Sequence, residues 1–154
     1  MKEQYGVYSV QPIIVDDIEE ELRQGKMIIK TAEEQNIDYV VYSTAGGVNR
    51  DRTGPHFEAL ADIENELKDS SLNYTIIKPS FFMDNFLRIT KVENGEIMIP
   101  EFINQDVKFA MISSIDIARI ASNVFGNPEK YNHQAIEIAS DELTLKEVVK
   151  KFEI

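Results

Sequence analysis

The sequence predicts an α/β protein built on a parallel sheet, and three observations carry that expectation. Strand-like and helix-like segments alternate in the order β-α-β-α-β from residue 6 to residue 80, as they do when helices connect parallel strands. Residues 37 to 45, "IDYVVYSTA", are β-branched and aromatic with little charge, the composition of a strand covered on both faces. The segments between strands place apolar residues at helical spacing.

Taken in order, Gly6-Val7-Tyr8-Ser9-Val10 reads as a short strand. Asp16 or Asp17 then supplies an N-cap, and Glu19, Glu20 and Glu21 suit the positive end of the helix that follows. Ile18, Leu22, Ile28, Ile29 and Ala32 form its apolar face, with Gly25 on or near that face, where a missing Cβ allows close approach to a sheet. After the strand 37 to 45, "GGVNRDRTG" reads as a loop. A helix over 55 to 69 follows, with Pro55 in its first turn and Phe57, Leu60, Ile63, Glu64 and Leu67 along its stripe. "NYTIIKPS" (73 to 80) is the third strand. "GEIMIP" (95 to 100) and "VKFAMI" (107 to 112) are β-like, and Ser113 with Asp116 has capping-box spacing before a helix. "QAIEIAS" (134 to 140) reads as a strand, and Thr144 with Glu147 opens a last helix whose lysines complement its dipole. No repeat or linker divides the chain, so 1 to 154 is expected to be one domain.

Composition narrows the function. The net charge of −11, from 16 basic and 27 acidic side chains, argues against nucleic-acid binding, which depends on cations that neutralise phosphates. With no cysteine and two histidines, thiolate chemistry and Cys/His metal clusters are excluded. No apolar run reaches membrane-spanning length and residues 1 to 12 lack a signal-peptide pattern, so no membrane association and a cytoplasmic location are expected. A literal Tyr-x-x-x-Lys occurs at Tyr74 to Lys78. On a strand its ends stand about 13 Å apart, against about 6 Å on a helix, so the pair cannot share one proton-transfer site. "PSFFMDNFL" offers Phe81, Phe82, Met83, Asn85 and Phe86 as an apolar wall for an aromatic substrate or partner, or as packing for a C-terminal lobe.

Four stretches resemble the NmrA-like family, atypical members of the short-chain dehydrogenase/reductase superfamily: "GVYSVQ" (6 to 11), "YVVYSTAGGVNRDRTGPHFEALADIE" (39 to 64), "YTIIKPSFFMDNFL" (74 to 87) and "YNHQAIEIASDELTLKEV" (131 to 148). They occur in the family's order across nearly the whole chain. The resemblance implies an α/β fold that is the second half of a doubly wound, Rossmann-type parallel sheet, followed by a small C-terminal α+β lobe. It implies NAD(H) or NADP(H) as cofactor, held across the carboxyl ends of the strands. It places Gln11, Ser43, Thr44, Pro79, Ser80 and Phe81 beside the cofactor, and Ser43 and His56 in the catalytic positions.

Two departures stand out against that pattern. No G-x-x-G-x-x-G turn follows a strand: the seven glycines sit at 6, 25, 46, 47, 54, 95 and 126. The first strand here resembles the family's fourth, so the chain is expected to be N-terminally truncated relative to the family. His56 stands where relatives carry the acid-base group, but Leu60 replaces the lysine that would hold the nicotinamide ribose. The expectation is therefore a regulatory or sensor module, or a remnant, without autonomous redox catalysis. The alternatives are an NAD(P)H-dependent reductase of quinone-like or small carbonyl substrates, and a cofactor-free interaction domain. A homodimer through the open sheet edge, or another protein partner, fits the last of these.

Overall fold

The computed structural model describes residues 4–14, 17–48, 50 and 54–152. Four parallel strands form the main sheet in the order β1-β2-β3-β8: β1 Gly6–Val10, β2 Tyr39–Ser43, β3 Tyr74–Pro79 and β8 Gln134–Ile138. Helices α1 (Ile18–Glu34) and α2 (Pro55–Asp69) make the crossovers β1-α1-β2-α2-β3. The predicted α/β class and the span of α2 agree with this architecture. The strands are shorter than the apolar runs that announce them, because pairing stops where the chain turns over the sheet ends. After Ser43, for example, the Thr44 amide still donates to the Ile77 carbonyl at 3.0 Å before the chain turns away.

Most of the rest of the chain builds a lobe beyond the carboxyl ends of the strands. It holds β4 (Phe81–Phe82), a 3-10 turn (Met83–Asn85), α3 (Phe86–Ile89) and the antiparallel pair β5 (Lys91–Glu93) and β6 (Glu96–Met98). Strands β7 (Phe109–Ile112) and β9 (Asp141–Leu143) and helix α6 (Leu145–Phe152) complete the lobe, whereas α4 (Ser114–Gly126) packs on the main sheet and α5 (Pro128–Tyr131) lies at the amino ends of β2 and β3. Strands β4, β7 and β9 form a second, mixed sheet. Strands β5 and β9 and the short helices escape sequence reading: each is three or four residues long, too short to show a period.

Alternation along each strand assigns the side chains to two faces. Val40, Tyr42, Tyr74 and Ile76 meet Ile29, Ala32, Ile63 and Leu67 of α1 and α2. Tyr39, Val41 and Ile77 meet Ile117, Ala121 and Val124 of α4. The lobe has its own core, with Phe86, Met111, Leu145 and Val148 at its centre.

Caps fix the helix ends. Asp17 accepts from the Glu20 amide at 3.0 Å, while Asp16, the alternative cap, lies outside the described residues. The Thr144 capping box closes both ways: Thr144 Oγ1 accepts from the Glu147 amide at 3.1 Å and Glu147 Oε2 from the Thr144 amide at 2.8 Å. Ser113 Oγ instead caps the Asp116 amide at 3.1 Å and donates to the Asp116 carboxylate at 2.9 Å. Gly25 is buried as expected, but it admits a helix rather than the sheet. A Cβ there would lie 2.4 Å from Ile63 Cδ1 and 2.7 Å from Ile63 Cγ1 of α2. Gly25→Ala is therefore expected to lower stability by about 1–3 kcal/mol through overpacking, although alanine is the better helix former by about 1 kcal/mol. Chemical denaturation reads the loss, and Ile63→Val in the same chain should return part of it. A raised unfolding midpoint for Gly25→Ala alone would contradict the expectation.

Candidate functional site

In a parallel sheet the carboxyl ends of the strands share one edge, and the loops leaving them enclose the natural ligand crevice. Here that edge carries Val10-Gln11, Ser43 to Gly47, Pro79-Ser80 and Ile138. The Gly46 amide donates to the Pro79 carbonyl at 2.8 Å, and the Ser80 amide to the Ile138 carbonyl at 3.0 Å, so the ends of β2, β3 and β8 are tied laterally. A Cβ on Gly46 would stand 3.3 Å from the Pro79 carbonyl oxygen, which explains a small residue in that turn.

The residues expected to form the site do not all converge. Ser43 ends β2 and is buried, and among the described residues its Oγ has no hydrogen-bond partner, nor has the enclosed Ser80 Oγ. Two unpaired hydroxyls on adjacent strand ends are what a polar ligand would satisfy. Pro79 is buried beside them. Thr44 turns away into the helix layer, where its Oγ1 donates to Glu64 Oε1 at 2.8 Å. Gln11 lies just past β1, half-buried.

The aromatic segment divides. The Phe81 ring stacks on Phe102 at 5.0 Å and meets Phe86 at 5.4 Å and Phe109 at 5.6 Å, inside the lobe core. Met83 packs on the same cluster, and Asn85 closes the 3-10 turn. Phe82 points the other way, into an apolar groove of about 550 Å³ between β1 and α4. Tyr8, Val10, Ala118 and Phe125 also line that groove.

His56, in the first turn of α2, has a partner that sequence reading missed. Its Nδ1 stands 2.8 Å from Oε1 of Glu21, a side chain of α1 with no exposed surface, whereas the imidazole is 21% exposed. Neither atom has a well-formed hydrogen bond among the described residues, so the two touch without hydrogen-bond geometry. The other Glu21 oxygen accepts from the Ile14 amide at 3.3 Å. The Tyr42 hydroxyl lies in the same layer. Burial pushes it up to about 12, the nearby Gln11 side chain opposing the rise without a well-formed hydrogen bond and the Glu21 charge adding to it. Tyr42 is thus a neutral phenol at physiological pH.

The signal for Glu21 was present in the spacing. Glu21, Gly25, Ile29 and Ala32 are the buried positions of α1, so the carboxylate continues the apolar stripe instead of facing water with Glu19 and Glu20. A second missed group lies deeper. Lys78 Nζ is 2.9 Å from Glu64 Oε2, with side-chain exposures of 9% and 0%. Tyr74 and Lys78 lie on one strand, as the spacing argument required. Lys78 does not replace the lysine absent at Leu60, because Glu64 sits two helical turns beyond His56, a rise of about 12 Å.

The fold is an α/β domain whose four-stranded parallel sheet carries helices on both faces, the class of Rossmann-type sheets. Comparison with known proteins is more specific. The sequence pattern of the NmrA-like family matches residues 1–154, and the chain belongs to that family. An NAD(P)H azoreductase from Xenophilus azovorans is 25% identical over 128 residues, 82% of this chain and 42% of the relative. The negative transcriptional regulator NmrA, solved with NAD, superposes with a TM-score of 0.74 at 16% identity, over 96% of this chain and 48% of that one. A triphenylmethane reductase from Citrobacter sp., solved with NADP(H), gives 0.76 at 14% identity, over 97% and 52%. The chain therefore spans about half the length of these relatives.

The described residues fit a dinucleotide only in part. The unpaired Ser43 and Ser80 hydroxyls suit the polar edge of a nicotinamide or its ribose. The phosphates find no matching cradle: α1, the helix that leaves β1, opens with Asp17, Glu19, Glu20 and Glu21, which repel the anion that a helix N-terminus otherwise attracts. Arg50, in the loop after β2, is paired with Glu137 of β8. Among the described residues no group of three or more His, Asp or Glu side chains gathers at metal-binding distances, and no helix is long and apolar enough to cross a membrane.

Proposed function

We propose that this chain supplies one wall of an NAD(P)-type crevice and does not carry redox catalysis by itself, acting as a regulatory or sensor module of the NmrA-like family. The observation that supports this is the position of β1. A dinucleotide lies where the strand order reverses, between two mononucleotide-binding halves, and among the described residues β1 is the outer strand of the sheet. Hydride transfer needs a dinucleotide fixed at both its phosphates and its ribose. The helix that leaves β1 opens with acidic side chains, and Leu60 stands where the resemblance expects the ribose-holding lysine. Calorimetric titration of the purified chain with NADPH and NADP is expected to give no binding heat up to millimolar ligand. A micromolar dissociation constant for either would overturn the proposal.

The groove beside β1 favours a second reading, in which a complementary half completes a reductase. Under the right-handed rule for parallel crossovers, β1-α1-β2 carries α1 on one face, and a strand-helix unit continuing outward from β1 would carry its helix on the opposite face. That face is the groove. Helix α4 covers β2 and β3, so a helix bridging β1 and one added strand would lie two strand spacings away, about 9.6 Å, a normal distance between packed helices. Ser114, Ala118 and Ser122 line the groove with small side chains that permit such an approach. Pairing of two β1 edges into a homodimer is the competing use of the same surface. It predicts a mass twice that of the chain in light scattering, lost when Val10, 52% exposed, becomes lysine.

A further inference from the structure

We propose that the groove beside β1 seats an α-helix of about three turns, carried by a strand that pairs with β1, and that a second copy of the chain does not fill it. The assignment rests on the second reading above and decides between the two occupants that reading leaves. Its starting point is the outer edge of β1. Among the described residues β1 pairs only with β2, in an unbroken register from Gly6 opposite Tyr39 to Val10 opposite Ser43. Edge strands are ordinarily blunted by a charge, a proline or a bulge. Strand β1 has none of these, and residues 5 to 14 carry no charged side chain in a chain that is 28% charged.

The groove continues that edge on the α4 face of the sheet. Tyr8 and Val10 form its β1 side, 41% and 52% exposed, and no charged residue lines it. It follows α4 from Ser114 to Phe125, about 16 Å at the helical rise and so the length of about three turns. Phe125 closes the end over Gly6, where an added Cβ would stand 2.6 Å from Phe125 Cε1. Possible occupants differ in what they leave uncovered. An apolar small molecule would fill the groove and leave the β1 edge unpaired. A second copy pairing its own β1 antiparallel would cover the edge but not the groove. Because α4 lies over β2 and β3, the two α4 helices would then stand four strand spacings apart, about 19 Å, twice the distance of packed helices. A strand joined to a helix covers both surfaces. The face that this helix turns to the groove is apolar and uncharged, as the groove is.

A synthetic peptide tests the assignment on the whole chain without nucleotide. It joins a Val/Thr strand of the length of β1, a short glycine loop and a helix of about three turns with an Ala/Leu inner face and a Lys/Glu outer face. At micromolar concentration it is expected to protect the amides of β1 in hydrogen exchange. Ala118→Trp, at an exposed position of α4 that lines the groove, should weaken binding by about tenfold, the effect of losing one central anchor, and leave the unfolding midpoint unchanged. The strand alone and the helix alone should each bind more weakly by a similar factor. No protection at millimolar peptide overturns the proposal, as does a strand-only peptide that binds as tightly as the joined unit. A dimer of the chain alone that Ala118→Trp abolishes would assign the groove to a second copy and overturn it too. Micromolar NADP binding by the chain would sink the first reading above and leave this docking surface standing.

Discussion

Glu64→Leu is expected to cost about 3–5 kcal/mol of folding stability, because it strands the Lys78 ammonium between the sheet and α2. Glu64 has no exposed surface. It accepts from Thr44 Oγ1 at 2.8 Å and lies 2.9 Å from Lys78 Nζ and 3.5 Å from Lys68 Nζ. Lys68 is 36% exposed and can turn to water, but Lys78, at 9%, cannot without leaving the strand packing. Removing the carboxylate therefore leaves one cation under-solvated and one threonine hydroxyl without its acceptor. Lys78→Met should cost less, since Glu64 keeps Thr44 and Lys68. The double variant Glu64→Leu with Lys78→Met should recover most of the loss, because a well-packed apolar pair often equals a buried ion pair. Urea unfolding of the four chains closes the cycle. A loss below about 1 kcal/mol for Glu64→Leu, or a double variant no better than that single one, would show that the pair is not a closed buried contact.

This pair and the one beneath His56 mark the limit of what the sequence discloses. The parallel sheet was legible because β2 and β3 are apolar on both faces and α1 and α2 carry clear stripes. The crossover order then left few topologies. His56 and Ser43 were legible only through resemblance. The surroundings of His56 were not, because they include Glu21, a carboxylate whose local context points elsewhere. Glu21 stands in a run of acids at a helix start, where the dipole accounts for all three, and only its spacing to Gly25 and Ile29 sets it apart from Glu19 and Glu20. Lys78 stands in a strand whose neighbours are buried, and its partner lies fourteen residues earlier on another element. Long-range pairing of charges is a property of the packed layers and leaves no periodic trace. The lobe was less legible still: β4, β5 and β9 are held by partners distant in sequence rather than by their own pattern.

The aromatic segment at 81 to 86 posed a choice between ligand wall and core, and Phe86→Ala decides it. Phe86 is 4% exposed, and its ring lies 5.4 Å from Phe81 and 6.4 Å from both Phe102 and Phe152. A phenylalanine so enclosed is expected to cost about 3–5 kcal/mol when cut to alanine. The loss should be confined at first to the lobe. In hydrogen exchange, amides of β7, β9 and α6 should lose protection while those of β2 and β3, which pack through other clusters, keep it. Leu87→Ala is the control: it is 78% exposed, so its effect should stay within about 0.5 kcal/mol. Were Phe86 part of an open ligand wall, its truncation would behave like that of Leu87. The same reasoning assigns Phe82 a different part, since its ring faces the groove beside β1 and not the lobe. Two adjacent phenylalanines on β4 thus alternate between the lobe's core and the surface that a completing strand-helix unit would cover.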